Sequence, residues 1–369
     1  MKVCFITTGL AMGGAEKQVS DLTDEFVVLG HQVMIISLTG DTVIKPKSMD
    51  VEINELHMSK TPWGIFHAMM RARKLIKNFS PDIVHSHMIH ANIFARILRI
   101  FTKIPRLICT AHNTNEGGKG RILAYRVTDK LADINTNVSQ EAVEAFIKNG
   151  AVTKDRMIAV GNGIDIERFV FSEQYRNQKR KLLNIDDETS FYLAVGRLDE
   201  QKDYYNMIYA FADFLSQPEI ENKKIILAII GQGALDEELN NLVNELNISS
   251  SIIFLGLQMD IEQWMSAADF YLMSSAWEGL PLVIAEAMAS SCFVIATDCG
   301  GVKEMIQGNG FLVESKNYKD LSSKLQKSLT LNKQEKKSCT LRARSNVIQN
   351  YSISAVASQW IEIYKSQHK

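Results

Sequence analysis

The stretch 268-ADFYLMSSAWEGLPLVIAEAMA-289 decides how this chain is read. ADFYLMSS is a short apolar run of the kind that forms a buried parallel strand. Glu278 and Gly279 make a tight turn, and Pro281 suits the first turn of a helix. The helical run carries a second acid, Glu286, eight positions after the first. The element is therefore strand, turn, helix, with one carboxylate in the turn and one about a helical turn inside. Unpaired N–H groups at a helix tip suit a phosphate. Carboxylates accept hydrogen bonds only, so they suit the hydroxyls of a ribose or a sugar. Phosphate at the tip with polyols on either side points to a nucleotide sugar.

Outward from this element, the same alternation fills the chain. KVCFIT, QVMIISL, VEINEL, DIVHSH, RLICTAH, DINTNVS and RMIAVGNGID read as strands with helical stretches between most of them. The rhythm breaks over 170–187, a polar and basic segment read as a linker. It restarts with FYLAVGR, KIILAIIG and SIIFLG before the opening stretch, then CFVIATD and GFLV. Strands alternating with helices at this spacing imply parallel sheets covered by helices. The expected architecture is α/β: a domain over 1–169, the linker, and a second domain over 188–351. A last helix, carrying Trp360 and Tyr364, ends the chain. Both domains are doubly wound, and ligands belong at the carboxyl ends of their strands.

At 369 residues the chain suits two domains, and 46% hydrophobic with 22% charged residues is an ordinary globular composition. A formal net charge of −1 aims no global field at nucleic acid. The five cysteines form no CxxC pair and read as reduced core residues of a cytoplasmic protein. No apolar run reaches the length of a membrane span, and the opening one is too short for a signal peptide. Charge is nevertheless uneven. From Lys60 to Lys130 there are thirteen Lys/Arg against Asp82, Glu116 and Asp129. Within it, 61-TPWGIFHAMMRARKLIKNF-79 mixes Trp63, Phe66, Met69 and Met70 with Arg71, Arg73, Lys74 and Lys77. The segment 91-ANIFARILRIFTKIPR-106 adds Arg96, Arg99, Lys103 and Arg106. Such helices fit an anionic membrane surface, or are sheet-covering helices whose solvated faces happen to be basic.

Other candidates lie where strands end. Gly13 and Gly14, in a turn that is not the G-x-G-x-x-G fingerprint, either admit a ligand to backbone N–H groups or merely fit helix to strand. His85 and His87 share one face of a strand by period-two alternation. With His90 they invite a metal, but no acid or cysteine accompanies them at ligand spacing. They make strand-end polar contacts or touch an acceptor, as Asn113 would. His112 closes RLICTAH. Arg197 and Lys202, five residues apart on a strand-to-helix loop, are two surface cations or a forked contact and a point charge on a diphosphate. No Asp-x-Asp occurs, which argues against a metal-held diphosphate. The Gly-x-Gly of IIGQGALDEEL is weak by itself.

Together GGAEK, DIVHSH, TAH, NGID, GRL…QKD, IIGQGALDEEL, FLG, WEGLPLVIAEAMA and ATDCGGVKEMI resemble the retaining glycosyltransferases of family four, whose fold is GT-B. The Glu278-x7-Glu286 pair is that family's signature, and the aromatic terminal helix over 352–369 resembles the one that in this fold crosses back to complete the first domain. The resemblance implies that Glu286 holds ribose hydroxyls and Glu278 a donor-sugar hydroxyl. Arg197 and Lys202 would neutralise the diphosphate, and Gly279, Leu280 and Leu282 lie on the helix tip that donates N–H groups. Phe254 and Gly256 would frame the base. Gly13 and Gly14 would close on the diphosphate, and His112 would touch donor sugar or acceptor. It further implies a UDP-hexose or UDP-N-acetylhexosamine donor, no metal, and a lipid-linked saccharide acceptor at the inner face of a bacterial membrane, in O-antigen or capsule assembly. A soluble acceptor and a nucleotide-sugar 2-epimerase of the same architecture stay open.

Overall fold

A computed structural model describes residues 1–11, 13–114 and 118–366. The chain divides into two compact units. Met1–Ile164 and the chain from Tyr351 form one, and Asp165–Asn350 the other.

The first unit contains β1 (Lys2–Thr7), α1 (Gly14–Val28), β2 (Gln32–Ser37), β3 (Glu52–Glu55), α2 (Pro62–Phe79), β4 (Ile83–His87) and α3 (Ile89–Phe101). It continues with β5 (Leu107–Thr110), α4 (Lys119–Thr128), β6 (Ile134–Asn137), α5 (Gln140–Lys148) and β7 (Met157–Ala159). The strands form one all-parallel sheet in the order β3-β2-β1-β4-β5-β6-β7. Cys4, Phe5, Ile35, Val84 and Ile108 are fully buried, as expected of strands covered on both faces. The order reverses between β1 and β4, where Thr7 stands beside His87.

The second unit contains α6 (Glu173–Leu182), β8 (Ser190–Val195), α7 (Tyr204–Leu215), β9 (Ile225–Ile230), α8 (Asp236–Glu245), β10 (Ile252–Gly256), α9 (Ile261–Ala267) and β11 (Phe270–Met273). Then come α10 (Leu282–Ala289), β12 (Phe293–Thr297), α11 (Val302–Ile306), β13 (Gly310–Val313), α12 (Tyr318–Ser328) and α13 (Lys333–Asn350). The sheet order is β10-β9-β8-β11-β12-β13, again parallel throughout. Its reversal lies between β8 and β11, so the loops leaving those two strands meet there.

The final helix, α14 (Ile353–Lys365), returns to the first unit. Ser352 caps it through its hydroxyl, and Trp360 and Tyr364 enter the core beside Phe5 and Phe26. Just before it, the chain pairs with its own exit point. Ile164 N–H donates to Tyr351 O at 2.8 Å, and Ile353 N–H to Ile164 O at 2.9 Å.

The reading of 170–187 as a linker is corrected. Ser172 caps α6 there, its hydroxyl accepting from Tyr175 N at 3.3 Å. The helix docks by charge instead of by an apolar stripe. Arg176 reaches Asp269 at 3.0 Å and Arg180 the same carboxylate at 3.4 Å. Arg180, only 3% exposed, also donates to Thr189 O at 2.6 Å. Its polar composition concealed an anchored helix.

Candidate active site

In the second unit the loops after β8 and β11 are laced together. Ser274 donates to Lys202 O at 2.8 Å and to Asp203 O at 2.9 Å, while Ala276 N–H donates to Gln201 O at 2.8 Å. This lacing presents Glu278 to three side chains. Lys202 Nζ lies 2.5 Å from Oε1, Ser275 Oγ donates to the same oxygen at 2.7 Å, and Gln201 Nε2 donates to Oε2 at 3.2 Å. At 7% exposure the carboxylate is nearly withdrawn from water, a position sustainable only with such partners. Lys202 and Glu278, which the sequence had assigned to different parts of a donor, are joined to each other.

Arg197 is different. Its side chain is 75% exposed and pairs with Asp199 at 3.2 Å. Glu286 is half-buried on α10, whose N-cap is Pro281. Leu280 is buried and roots the turn, Gly279 O accepts from Gly301 N at 3.0 Å, and Leu282 is the first residue of α10. Phe254 and Gly256 sit on edge strand β10, and Gly256 O accepts from Gly231 N at 2.9 Å.

Two glycines explain how the loops come this close. Gly231, at φ +146°, passes over Gly196 O, where a Cβ would overlap the carbonyl. Gly300, at φ +59°, sits against the backbone of Glu278 and Gly279, leaving no room for a side chain. The Gly-x-Gly of IIGQGALDEEL thus contributes close packing. Gln201, Ser275 and Gly300 were not singled out from sequence. Only their adjacency to Lys202 and Glu278 signalled them.

In the first unit, period-two alternation places His85 and His87 side by side, their ring centroids 4.1 Å apart. His85 is fully buried with both nitrogens engaged, Nδ1 to Tyr364 Oη and Nε2 to Thr110 Oγ1, each at 2.6 Å. The reading of His85 as an acceptor contact is therefore corrected: it ties α14 to the sheet. His87 Nδ1 lies 3.0 Å from His112 Nε2. Burial pushes His112 down to about 4, and pushes His85 and His87 well below the usual imidazole range, with neighbouring imidazoles adding to it. All three are neutral at pH 7. Asn113 is exposed just beyond His112. Gly117, next to Gly118 in that turn, lies outside the described residues. Gly13 is the extended N-cap of α1 (φ −169°), and Gly14 is its first residue. Among the described residues, one set of three His or acidic side chains brings its ligand atoms together, Asp41, Glu55 and His57, and it does not involve these histidines.

The basic helices also divide. Arg96 is fully buried, donating to Asn135 Oδ1 at 2.6 Å and lying over the Tyr125 ring. Arg99 pairs with Asp133 at 2.8 Å, and Arg106 donates to Ile363 O at 2.8 Å. The α3 segment is thus mostly internal wiring, which corrects its reading as a basic amphipathic surface. On α2, Arg71 is tied to Glu55 O and Leu56 O. Trp63 is 70% exposed and stacks on exposed Phe66 at 5.5 Å, with Met70, Lys74 and Lys77 exposed further along the helix. No described helix is long and apolar enough to cross a membrane.

Residues 12–168 match Glycosyltransferase Family 4 and residues 175–345 match Glycosyl transferases group 1. Among curated proteins, the chain is 29% identical over 254 residues to the Escherichia coli UDP-Gal:alpha-D-GlcNAc-diphosphoundecaprenol alpha-1,3-galactosyltransferase, covering 65% of this chain and 64% of that one. A Campylobacter jejuni N-acetylgalactosamine-N,N'-diacetylbacillosaminyl-diphospho-undecaprenol 4-alpha-N-acetylgalactosaminyltransferase is 26% identical over 335 residues, 86% of this chain and 87% of that one. An uncharacterized glycosyltransferase of Methanocaldococcus jannaschii is 28% identical, the match covering 64% of this chain and 61% of that one, so the alignment spans less than two thirds of two of these relatives. Among solved structures, a Rickettsia africae glycosyltransferase superposes with a TM-score of 0.86 at 21% identity, covering 99% of this chain and 97% of that one. Anabaena HepE in complex with UDP superposes at 0.84 and 20% identity over the whole of both chains. With two parallel-sheet Rossmann-like units and both halves matched, the chain belongs to the family 4 and group 1 glycosyltransferases and has the GT-B fold.

Proposed function

We propose that this chain is a retaining glycosyltransferase that moves a hexose or N-acetylhexosamine from a UDP-sugar to a lipid-linked saccharide, in bacterial O-antigen or capsule assembly. The observation that carries the reading is the Lys202–Glu278 pair at the β8/β11 switch point, buried and braced by Gln201 and Ser275. It puts a fixed cation and a fixed carboxylate beside the tip of α10, where a diphosphate and a sugar hydroxyl are both served. Glu286 on α10 takes the ribose hydroxyls, and Phe254 and Gly256 flank the base. Gly279, Leu280 and Leu282 provide the backbone of the phosphate-binding tip. From the first unit, Gly13 and Gly14 serve the diphosphate, and His112 the donor sugar or acceptor.

Departure of the diphosphate leaves an oxocarbenium-like sugar, so the main task is stabilising charge on the leaving group. Lys202 and Arg197 supply positive charge without a metal ion. With Glu278 already paired to Lys202, it acts as a holder of hydroxyls and not as a nucleophile. Attack then comes from the leaving-group face, with a phosphate oxygen taking the acceptor proton, and configuration is retained.

The lipid-linked acceptor is supported by the E. coli and C. jejuni relatives, whose names specify undecaprenol-linked acceptors. The Trp63–Phe66 pair and Lys74 and Lys77 on α2 support peripheral contact with the cytoplasmic face of the membrane. The test is UDP release and product analysis with a UDP-sugar panel and an undecaprenyl-diphosphate-linked saccharide, with and without EDTA. Retained anomeric configuration and EDTA-resistant turnover are expected. Inversion overturns the mechanism. Epimerisation of UDP-sugar without acceptor overturns the activity.

A further inference from the structure

Aromatic side chains gather on the outside of the second unit, over the first turns of α7 and the start of α12. Trp277, Tyr209 and Tyr318 are 46%, 43% and 40% exposed. Tyr205 and Tyr209 lie one turn apart on α7, and the Tyr209 and Tyr318 ring centroids are 6.2 Å apart. Trp277 and Tyr205 line an open depression of about 570 Å³ that also takes in Glu200, Asp203, Asn206, Glu238 and Lys316. Small-molecule sites usually span about 300–1,000 Å³.

The polar groups of the depression are held in place. Tyr205 Oη donates to Glu238, and Asp203 Oδ1 caps α7 by accepting from Asn206 N at 3.4 Å. The Asn206 side chain is the exception. The residue is 7% exposed, and its Nδ2 is buried with no hydrogen-bond partner among the described residues. Orphaned buried donors are rare in folded proteins. The terminal torsion of an amide is broad and two-fold, so half a turn presents that N–H to the depression, where an oxygen can receive it.

The occupant follows from what each chemical class could satisfy. Three carboxylates stand against one ammonium, so a nucleotide, a phosphate or an anionic headgroup is repelled. A polyamine would pair with the acids and lie over Trp277, but it offers no acceptor to Asn206 or Lys316. A hydroxyl both donates and accepts, so a polyol serves the carboxylates and the nitrogen donors together. A sugar ring adds a C–H face to lay on the negatively polarised face of an aromatic ring.

We propose that this face is a saccharide-binding subsite of the second unit. Trp277 and Tyr205 are its stacking surfaces, Asn206 its donor, and Asp203 and Glu238 its acceptors. Tyr209 and Tyr318 extend it to a further sugar unit. Trp277 immediately precedes Glu278, and its carbonyl accepts at 3.1 Å from Gln201 Nε2, the group that also donates to Glu278 Oε2. A glycan held here sits beside the donor residues without occupying them. Only that last relation rests on the function proposed above; the binding does not.

The test is a titration of the ¹⁵N-tryptophan-labelled full chain with methyl α-D-glucoside, methyl α-D-galactoside and methyl N-acetyl-α-D-glucosaminide. The indole N–H signals are followed, and that of Trp277 is assigned by Trp277→Phe. Saturable movement of the Trp277 signal in the millimolar range is expected with at least one sugar, while the buried Trp264 and Trp360 stay unmoved. Asn206→Leu should weaken that binding at least about tenfold and leave the affinity for UDP within about twofold. Glu238→Ala, on the exposed rim, should weaken it severalfold and supplies the comparison if Asn206→Leu fails to fold. The absence of saturable movement with all three sugars overturns the proposal. So does movement that both substitutions leave unchanged, or that spermidine reproduces. The sugar titration needs neither nucleotide nor transfer, so its failure and failure of the proposed function are separately visible.

Discussion

The two cations of the β8–α7 loop separate stability from chemistry. Arg197 is largely in water and pairs with Asp199, so Arg197→Ala should leave the melting temperature within about 1 °C, as exposed pairs contribute little. It should nevertheless lower turnover by more than about tenfold, or ~1.4 kcal/mol. Lys202→Ala should do both, because it strands a buried Glu278. Unfolding should be easier by about 2 kcal/mol, short of the cost of a fully buried pair since Ser275 and Gln201 remain. Thermal shift and UDP release on the same preparations separate the two effects. Full turnover by both variants would remove them from the diphosphate role. The sequence offered Glu278, Glu286, Arg197 and Lys202 as candidates because acids and cations in a strand-to-helix loop or on the helix that follows it carry their own chemical signal. It could not indicate that Lys202 and Glu278 pair, since that depends on the lacing through Ser274 and Ala276 across 72 and 75 residues.

Helices were legible where an apolar stripe marked them and illegible where charge did the docking. α10 declared itself, and α6 did not, because Arg176 and Arg180 bury only when Asp269 is there to receive them. Arg180→Ala should therefore destabilise the protein by about 3 kcal/mol in chemical denaturation, far beyond what a linker residue costs. A change under about 0.5 kcal/mol would return α6 to the status of a connector. The same blindness made α3 look like a basic surface when Arg96 was heading for the core. α2 retains the exposed aromatics. Trp63→Ala with Phe66→Ala should sharply reduce flotation with vesicles containing phosphatidylglycerol at physiological salt, without lowering the melting temperature. Equal flotation of variant and wild type would exclude α2 as the contact.

On the scale of the whole molecule, buried His85 and His87 and half-buried His112 make the folded state acid-sensitive. His85, His87 and His112 are surrounded by one another, Phe5, Trp360, Tyr364 and Thr110. Their folded-state affinities for protons lie below the ordinary 6.5, with His112 at about 4. Between those values the unfolded chain binds protons that the folded chain refuses, so stability is fully present above about pH 6.5 and drains away as pH falls toward 4. Thermal unfolding followed from pH 7.5 to 4.5 should show that decline, and His87→Asn should make it shallower. A flat profile would mean that the cluster takes up protons while folded.

The parallel bridge between exit and return, where Ile164 bonds to Tyr351 and Ile353, has a bearing on how the protein is made. All of 165–350 is, in topological terms, an insertion into the first unit. The ribosome must therefore deliver the entire second unit before it supplies Trp360 and Tyr364, the residues that fill the first unit's core. His85 spends that interval with no phenol to meet its Nδ1. The part of the protein begun first is the part finished last, and His85 gains its contacts with Trp360 and Tyr364 only when synthesis is nearly complete.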